Sequence, residues 1–421
     1  MTHHVVNFGC RLNSYEGEAI REALSKAKAG DTVVINSCAV TKEAERQARQ
    51  AIRRAKREFP QAKIVVTGCA AQVNPQQFAQ MVEVDQVLGN QEKFEVSSYE
   101  FSENSAEERV SVNDIMEVKT VASHMVSAFE GRVRAFLQVQ NGCNHRCTFC
   151  IIPYGRGNSR SVAPGEIVAQ ARQLVVQGCE EIVLTGVDIT DYGKDLPGAP
   201  SLGEMSERLL RLVPELKRLR FSSLDVAEID ETLLRLLAEE ERVMPHVHLS
   251  LQAGDDLILK RMKRRHLSAD IRKFCNDLRA KRPEIVFGAD LIAGFPTETE
   301  EQFANSLALV EELEIALLHV FPFSARENTP AAKMPQLPMA IRKERAAKLR
   351  AKGDEILQKI QARYVGKRFK VVMESPQIAR ADDFTVWRVE ENLVAGESYY
   401  VRALSPGYVV IEEEKNALVV S

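Results

Sequence analysis

Short apolar runs alternate with amphipathic helical segments along most of this 421-residue chain. Near the N-terminus the runs are Val5–Cys10, Thr32–Cys38 and Lys63–Cys69, and a helix-forming segment follows each one. Because a strand followed by a helix usually pairs in parallel with the next strand, this alternation predicts a parallel α/β domain. Six further units between residues 131 and 330 predict an open, partial (β/α) barrel. Its predicted strands are 135–139, Glu181–Thr185, Arg218–Ser222, His246–Ser250, Val286–Asp290 and Ala316–Phe321.

The segment from residue 361 onward changes to short strands and turns. Four or five short strands in a tail of this length predict a small β-barrel of OB-like kind. A long basic helix from Ala340 to about Ala362 joins the two barrels. We therefore expect three domains, at residues 1–130, 131–360 and 361–421, with the acidic stretch Ser98–Glu108 as a loop or linker before the first boundary.

Composition and net charge favour a folded protein without a membrane helix or an overall positive charge. A hydrophobic content of 45% supports real cores, and a net charge of −3 gives no general attraction to nucleic acid, so such binding depends on local patches. The N-terminus lacks the apolar stretch of a signal peptide, and no run approaches the ~20 apolar residues of a membrane helix. We expect a soluble, cytoplasmic protein without a membrane partner. Eight cysteines in a reducing compartment favour thiolate ligands over disulfides.

Three cysteines follow the predicted strand 135–139 with the spacing C-x3-C-x2-C: Cys143, Cys147 and Cys150. Three thiolates on one short loop can hold three irons of a 4Fe–4S cluster and leave the fourth iron open for chemistry. A zinc site with His145 as its fourth ligand is one alternative. A redox dithiol made by the last two cysteines is another, and it leaves Cys143 without a role. The spacing favours the cluster.

Three more cysteines, Cys10, Cys38 and Cys69, end the three predicted N-terminal strands. In open α/β sheets ligands bind beyond the carboxyl ends of the strands, so these side chains should line one crevice. Gly9 and Gly68 precede two of them, where the backbone turns tightly or a bulky group approaches. Small buried residues at strand ends are the alternative. Three in succession favour a second iron–sulfur site.

Polar or small residues follow four successive strands of the predicted partial barrel. Each alone is explained by turn chemistry, but together they predict a pocket rich in hydrogen-bonding groups at the C-terminal rim. The candidate residues are Thr185, Gly186, Asp188, Ser222, Asp225, Ser250, Gln252, Asp290, Ile292 and Gly294. His246 and His248 alternate on one strand, and we expect core or supporting roles for them rather than a metal site.

Three basic clusters are candidates for contact with RNA, and a solvated surface is the alternative for each. The first lies on the helix 42–58, the second follows the Ser250 rim, and the third belongs to the C-terminal barrel. A tryptophan in the third cluster adds a base-stacking group. The residues are Arg46, Arg49, Arg53, Lys263, Arg264, Lys367, Arg368, Lys370 and Trp387.

Across nearly its full length the chain resembles the radical S-adenosylmethionine (SAM) methylthiotransferases. The segments that carry the resemblance are Gly9–Glu16, Asn36–Thr41, Thr67–Gln72, Asn141–Gly157 and Gly294–Thr299. Within that family, Cys38–Gln50 is most similar to the MtaB-type enzymes, which act on threonylcarbamoyladenosine next to the tRNA anticodon. The chain departs from many radical SAM proteins at Thr185–Asp188, where those proteins have Gly-Gly-Glu.

The resemblance implies two 4Fe–4S clusters and SAM as cofactors. Cys143, Cys147 and Cys150 would hold the cluster that binds SAM, and Cys10, Cys38 and Cys69 would hold the second cluster. Phe149 and the rim residues would then bind SAM, and the tail would be an RNA-binding TRAM domain.

The implied reaction adds a methylthio group to carbon 2 of threonylcarbamoyladenosine by SAM-derived radical chemistry. The implied partners are a tRNA anticodon stem-loop and an electron donor such as flavodoxin or ferredoxin. Two alternatives within the family act on isopentenyladenosine in tRNA or on a ribosomal protein. A non-catalytic iron–sulfur RNA-binding protein is the alternative from another class.

Overall fold

The structure is a computed structural model, and it describes residues 3–100, 109–121 and 134–412. The predicted linker lies partly outside these residues, and the predicted boundary at residue 130 lies wholly outside them. The N-terminal unit is a parallel sheet with the strand order β1-β2-β3-β4-β5. Its strands are β1 (His3–Asn7), β2 (Thr32–Ser37), β3 (Lys63–Gly68), β4 (Gln86–Leu88) and β5 (Val110–Ser111). Its helices are α1 (Arg11–Lys26), α2 (Lys42–Glu58), α3 (Cys69–Val73) and α4 (Pro75–Ala79).

Both faces of this sheet are buried, as expected for parallel strands covered by helices. Val33 and Ile35 of β2 face one apolar cluster together with α2, whereas Val34 faces a second cluster with α1. The parallel register pairs Asn7 with Asn36 and Ser37 with Gly68, so the carboxyl ends of β1, β2 and β3 are level. The residues that follow these strands therefore meet at one edge.

The central unit contains all six predicted strands. They are β6 (Arg134–Gln138), β9 (Glu181–Thr185), β10 (Arg218–Phe221), β11 (His246–Gln252), β12 (Val286–Ala293) and β13 (Ile315–Pro322). Between β6 and β9 lies a short antiparallel pair, β7 (Gln140–Asn141) and β8 (Arg160–Ser161). The helices are α5 (Ile152–Arg156), α6 (Pro164–Val176), α7 (Leu202–Leu212), α8 (Glu231–Glu239), α9 (Asp256–Arg261), α10 (Ser268–Lys281) and α11 (Glu300–Glu312).

The six strands are parallel, in two three-stranded sheets with the orders β10-β9-β6 and β11-β12-β13. Parallel bridges from Leu219 to Val243 and from Leu224 to Leu249 connect the two sheets. One large apolar cluster joins the strands to the helices around them. The predicted open, partial barrel is thus confirmed.

Helix α12 (Met339–Ala362) leads from β13 to the C-terminal unit. That unit is a closed barrel with the order β14-β15-β16-β18-β17. Its strands are β14 (Arg368–Ser375), β15 (Ile378–Ala381), β16 (Val386–Val389), β17 (Ser398–Ser405) and β18 (Tyr408–Ile411). Within the described residues, every helix is too short or too polar to cross a membrane.

Candidate active site

The loop that carries Cys143, Cys147 and Cys150 lies between β7 and α5, over the C-terminal ends of the central strands. The backbone of Thr148 fixes it, since its N–H donates to Met262 and its carbonyl accepts from Ala331. Cys143 is buried and the other two cysteines are partly exposed. Burial raises the pKa of the Cys150 thiol to about 12, and the neighbouring charge of Cys147 adds to this effect. The thiols of Cys147 and Cys150 are therefore electrostatic neighbours.

Asp188 links this loop to the rim of the barrel. Its Oδ2 lies 2.9 Å from His145 Nε2 and accepts from the Cys143 thiol at 3.4 Å. Glu228 approaches the same imidazole nitrogen at 3.4 Å. Hydrogen bonds to Asp188 and then to Glu228 raise the pKa of His145 to about 10. Cys143, His145 and Asp188 also offer ligand atoms within 4.8 Å of one another, a group that could hold a single metal ion.

Arg264 lies inside this pocket, which corrects its predicted place on an RNA-binding surface. Its guanidinium donates to Asp225 Oδ2 and to the Ser250 carbonyl, both at 2.9 Å, and to Cys147 Sγ at 3.7 Å. The side chain is 8% exposed. The guanidinium thus offers the Cys147 sulfur a charged hydrogen-bond donor. The basic run that contains Arg264 indicated a surface because sequence does not show which member turns inward.

Asp225 is the hub of the polar rim. Besides Arg264 it binds Arg265 at 3.1 Å and His266 Nδ1 at 3.2 Å. Burial would raise its pKa, but these cationic neighbours hold the pKa well below its usual range. Glu228, Arg265 and His266 carried no motif that could have identified them. Only the fold brings these residues from two separate loops into contact.

The remaining predicted rim residues lie at the strand ends, beside the apolar cluster of Phe295, or in the interior of the central barrel. Thr185 and Ser222 are buried at the ends of β9 and β10, and Gln252 ends β11. Gly186 packs on Gln140, where a Cβ would lie 2.7 Å from the carbonyl oxygen, so a side chain does not fit.

Two groups of rim residues lie away from Asp225. Phe149 and Ile292 border one apolar cluster with Phe295. Gly294 donates its N–H to Glu298, so that donor is already used. Asp290 faces the barrel interior, where it contacts His248, His319 and Ser223.

The second set of cysteines meets at the edge of the N-terminal sheet. Cys10 precedes α1, Cys38 follows β2 and Cys69 begins α3. Burial raises the pKa of Cys38 to about 12, and the charges of Cys69 and Cys10 add to it. Gly9 has a φ of +97°, and a Cβ there would lie 2.7 Å from the Cys38 sulfur. Three thiols within mutual electrostatic reach form a donor set that fits a second iron–sulfur cluster.

Arg156 connects the two sets of cysteines. It ends α5, directly after the loop of Cys150, and its Nε donates to Cys69 Sγ at 3.0 Å. The same guanidinium contacts Glu16 and Asn13. Glu16 also accepts from Lys93 at 2.7 Å, and Glu16 and Lys93 are fully buried. Burial would raise the pKa of Glu16, but Arg156 and Lys93 together lower it.

The predicted RNA-binding residues fall into exposed and buried groups. Trp387 is fully buried and donates to Thr385 Oγ1, so it belongs to the barrel core and its predicted stacking role is wrong for this conformation. Arg46, Arg53, Lys263, Lys367 and Arg368 are exposed, and Arg49 and Lys370 are partly buried. The Arg368 guanidinium lies 4.0 Å from the centre of the exposed Tyr400 ring. This pair offers the stacking face that Trp387 does not.

Comparison with known proteins matches two family profiles. The Radical SAM superfamily matches residues 137–310. The Uncharacterized protein family UPF0004 matches residues 2–89. A solved structure of the radical S-adenosylmethionine methyltransferase TsrM from Kitasatospora setae superposes with a TM-score of 0.52 at 16% identity, covering 74% of this chain and 66% of that chain. That likeness supports the fold.

Two curated relatives are similar over nearly their whole length. The Threonylcarbamoyladenosine tRNA methylthiotransferase MtaB of Rickettsia prowazekii (strain Madrid E) is 53% identical over 399 residues, which are 95% of this chain and 94% of the relative. The protein of the same name from Aquifex aeolicus (strain VF5) is 38% identical, with 93% of each chain covered.

Proposed function

Because the chain belongs to the MtaB family of radical SAM tRNA methylthiotransferases, we propose that it adds a methylthio group to carbon 2 of threonylcarbamoyladenosine beside the tRNA anticodon. The observation that carries this proposal is the pair of cysteine sets joined by Arg156. A reaction that transfers both sulfur and a methyl group by radical chemistry needs two such sites close together.

Cys143, Cys147 and Cys150 would hold one 4Fe–4S cluster, and Cys10, Cys38 and Cys69 would hold the other. When bound, the clusters supply the electron that cleaves SAM and the sulfur that is transferred. Arg264 and Arg156 would donate hydrogen bonds to the ligand sulfurs of Cys147 and Cys69. Asp225 fixes Arg264 through its hydrogen bond, and the buried Glu16 fixes Arg156.

The polar rim is the proposed binding site for SAM. Asp188 and Asp225 offer carboxylate oxygens as acceptors for the hydroxyl and ammonium groups of that molecule. Thr185, Ser222, Ser250 and Gln252 lie at neighbouring strand ends, and Phe149 and Ile292 supply apolar contact. The tRNA would contact the C-terminal barrel at Arg368 and Tyr400, and its unpaired anticodon-loop base would enter the active site with little unpairing cost. This substrate implies action in the cytoplasm with a flavodoxin or ferredoxin as electron donor.

The test uses anaerobically reconstituted protein with SAM, a one-electron reductant and an anticodon stem-loop that carries threonylcarbamoyladenosine. Nucleoside mass spectrometry should show the methylthio product, and iron and sulfide analysis should show about eight irons per chain. Parallel reactions contain an isopentenyladenosine stem-loop or ribosomal protein. Product only from one of these would overturn the proposed substrate, and about four irons would remove the second cluster. Absence of SAM cleavage would favour a non-catalytic protein.

A further inference from the structure

Phe384 of the C-terminal barrel packs against residues at the N-terminal ends of β6 and β11 in the central barrel. It follows β15 with a φ of +70° and stacks on His246 of β11 at 4.7 Å between ring centres. Four guanidinium groups surround its ring at 4.1 to 5.6 Å. They belong to Arg11, Arg134, Arg220 and Arg380. All three units of the chain therefore meet at this ring.

Three of the four guanidinium groups have carboxylate partners. Arg134 and Arg220 bind Glu181 at the start of β9, and Arg380 binds Glu374 at 2.6 Å. The Arg11 guanidinium forms no salt bridge and no hydrogen bond within residues 3–100, 109–121 and 134–412, and the carboxylates of Asp290 and Glu181 act on it only at longer range. It is only partly buried, so an incoming group can reach it. Arg11 is therefore a partly desolvated cation among other cations, and it has no carboxylate in direct contact.

Arg11 is placed between the second cysteine set and the barrel interior. It follows Cys10 directly as the first residue of α1. Burial, His248 and charges that include Arg11 lower the pKa of His246, and Arg11 also acts on His248. His248 in turn contacts Asp290, with His319 beside it, and the His319 side chain is 58% exposed. This part of the interior is therefore polar and open to an entering ligand.

Among the ligands of the proposed reaction, the substrate base itself carries a free carboxylate on its threonyl group. We propose that Arg11 binds this carboxylate and so makes the enzyme specific for the threonylcarbamoyl base. This inference rests on the proposed function and deepens it. A guanidinium can pair with a carboxylate through two parallel hydrogen bonds, and the planar fork gives direction as well as attraction. The bound base would then lie beside Cys10, on the side of the second cysteine set.

An uncharged or apolar substituent would leave Arg11 without its anion and half desolvated. Discrimination of this kind is strong, because a site built to bind a polar group is left with an unpaired charge when the group is missing. The polar neighbours Asp290, His248 and Ser223 already bind one another, and the exposed His319 also contacts Asp290, whereas the Arg11 guanidinium forms no hydrogen bond or salt bridge within the described residues.

The test compares two stem-loop RNAs, one with threonylcarbamoyladenosine and one in which the threonyl carboxylate is replaced by a neutral amide. Wild-type protein, Arg11→Gln and Arg11→Lys are assayed with both by kcat/KM for the methylthio product. Arg380→Gln is the matched control, since it removes a guanidinium from the same ring that already has a carboxylate partner. Iron content and Tm are measured for every variant.

We expect the amide to lower wild-type kcat/KM about 10- to 100-fold, the range for loss of a charge-assisted hydrogen-bonded pair. Arg11→Gln should lower activity on the acid RNA by a similar factor and should not distinguish the acid from the amide, while Arg11→Lys should keep part of the preference. Arg380→Gln should keep the full preference.

Equal preference for the acid in wild type and Arg11→Gln would overturn the inference while leaving the proposed function intact. Wild-type protein that modifies neither RNA would overturn the proposed function, and the inference with it. If Arg11→Gln loses iron or stability, Arg11→Lys decides: a preference for the acid that is smaller than in wild type supports the carboxylate contact, and a preference equal to that of wild type refutes it.

Discussion

Arg156 donates from Nε to the sulfur of Cys69 across 3.0 Å, and this contact ties the two cysteine sets together. The arginine belongs to α5, which begins two residues after Cys150, whereas Cys69 begins α3 of the N-terminal sheet. Next to it, Gly155 packs so closely that a Cβ would lie 3.2 Å from the Cys69 Cβ. The segment that follows Cys150 therefore packs directly against Cys69 of the N-terminal cysteine set.

Replacement of Arg156 by Leu should therefore impair both stability and the second set of cysteines. The change leaves Glu16 buried with only Lys93 as a cationic partner, and a broken buried pair of this kind costs about 3–5 kcal/mol. We expect a lower Tm and a lower iron content per chain. Arg211→Leu, at an exposed position of α7, is the control and should change neither. Unchanged iron content in Arg156→Leu would show that Cys69 does not depend on this guanidinium.

The two cysteine sets should have separable roles. Alanine at Cys143, Cys147 or Cys150 should abolish reductive cleavage of SAM. Alanine at Cys10, Cys38 or Cys69 should retain cleavage and stop methylthiolation of the RNA. Chromatography of 5′-deoxyadenosine and mass spectrometry of the nucleosides measure the two outcomes in the same reaction. Alanine at Cys275, which is buried in α10, controls for loss of a thiol elsewhere. Identical behaviour of both sets would contradict this division.

The strands, helices and cysteine sites of this chain could be predicted from its sequence, because each one depends on a local sequence pattern. Alternation of apolar runs with helices located all six central strands, and the helix from Ala340 was displaced by one residue from its observed start. The positions of Cys10, Cys38 and Cys69 at strand ends followed from the topology of a parallel sheet.

The direction in which individual polar side chains point could not be predicted from the sequence. Arg264 and Lys263 are adjacent in a basic run, but only Arg264 turns inward to Asp225. Trp387 occupies an inward position of β16, which the alternation Val386, Trp387, Arg388 and Val389 permits in either register. Glu16 and Arg11 lie in one helix and form contacts more than 100 residues away. Such contacts depend on how the three units pack, and no local pattern encodes that.

Tyr400, and not the buried Trp387, is the proposed base-stacking residue of the C-terminal barrel, and variants of the two residues test this assignment. Tyr400→Ala should weaken binding of the stem-loop, because loss of one base-stacking ring costs about 1–3 kcal/mol. It should leave Tm nearly unchanged, since Tyr400 is exposed. Trp387→Ala should instead destabilise the protein by about 3–5 kcal/mol, as for other large core residues. Fluorescence anisotropy with labelled RNA and thermal unfolding measure the two effects. A loss of affinity in Tyr400→Phe as large as in Tyr400→Ala would argue against stacking.

Glu181 should make stability depend on acid pH. It is buried among Arg134, Arg218 and Arg220, and although burial alone would raise its pKa, these three charges hold the pKa well below its usual range. A depressed pKa in the folded state stabilises the protein above the carboxyl pKa of the unfolded chain, near ~4.3, and this contribution is lost as pH falls toward the folded pKa. Wild-type stability should therefore decline below about pH 5.

Glu181→Gln should be less stable than wild type at pH 7 by about 3–5 kcal/mol, because its arginines lose a buried partner. The difference should shrink as pH falls below about 4.3, where the wild type begins to lose the same interaction. Urea denaturation under anaerobic conditions at a series of pH values measures both curves. Glu215→Gln, which removes one exposed carboxylate from the same unit, should show no such convergence. A wild-type advantage that stays constant down to low pH would mean that the charge of Glu181 is not what stabilises this junction between the two barrels.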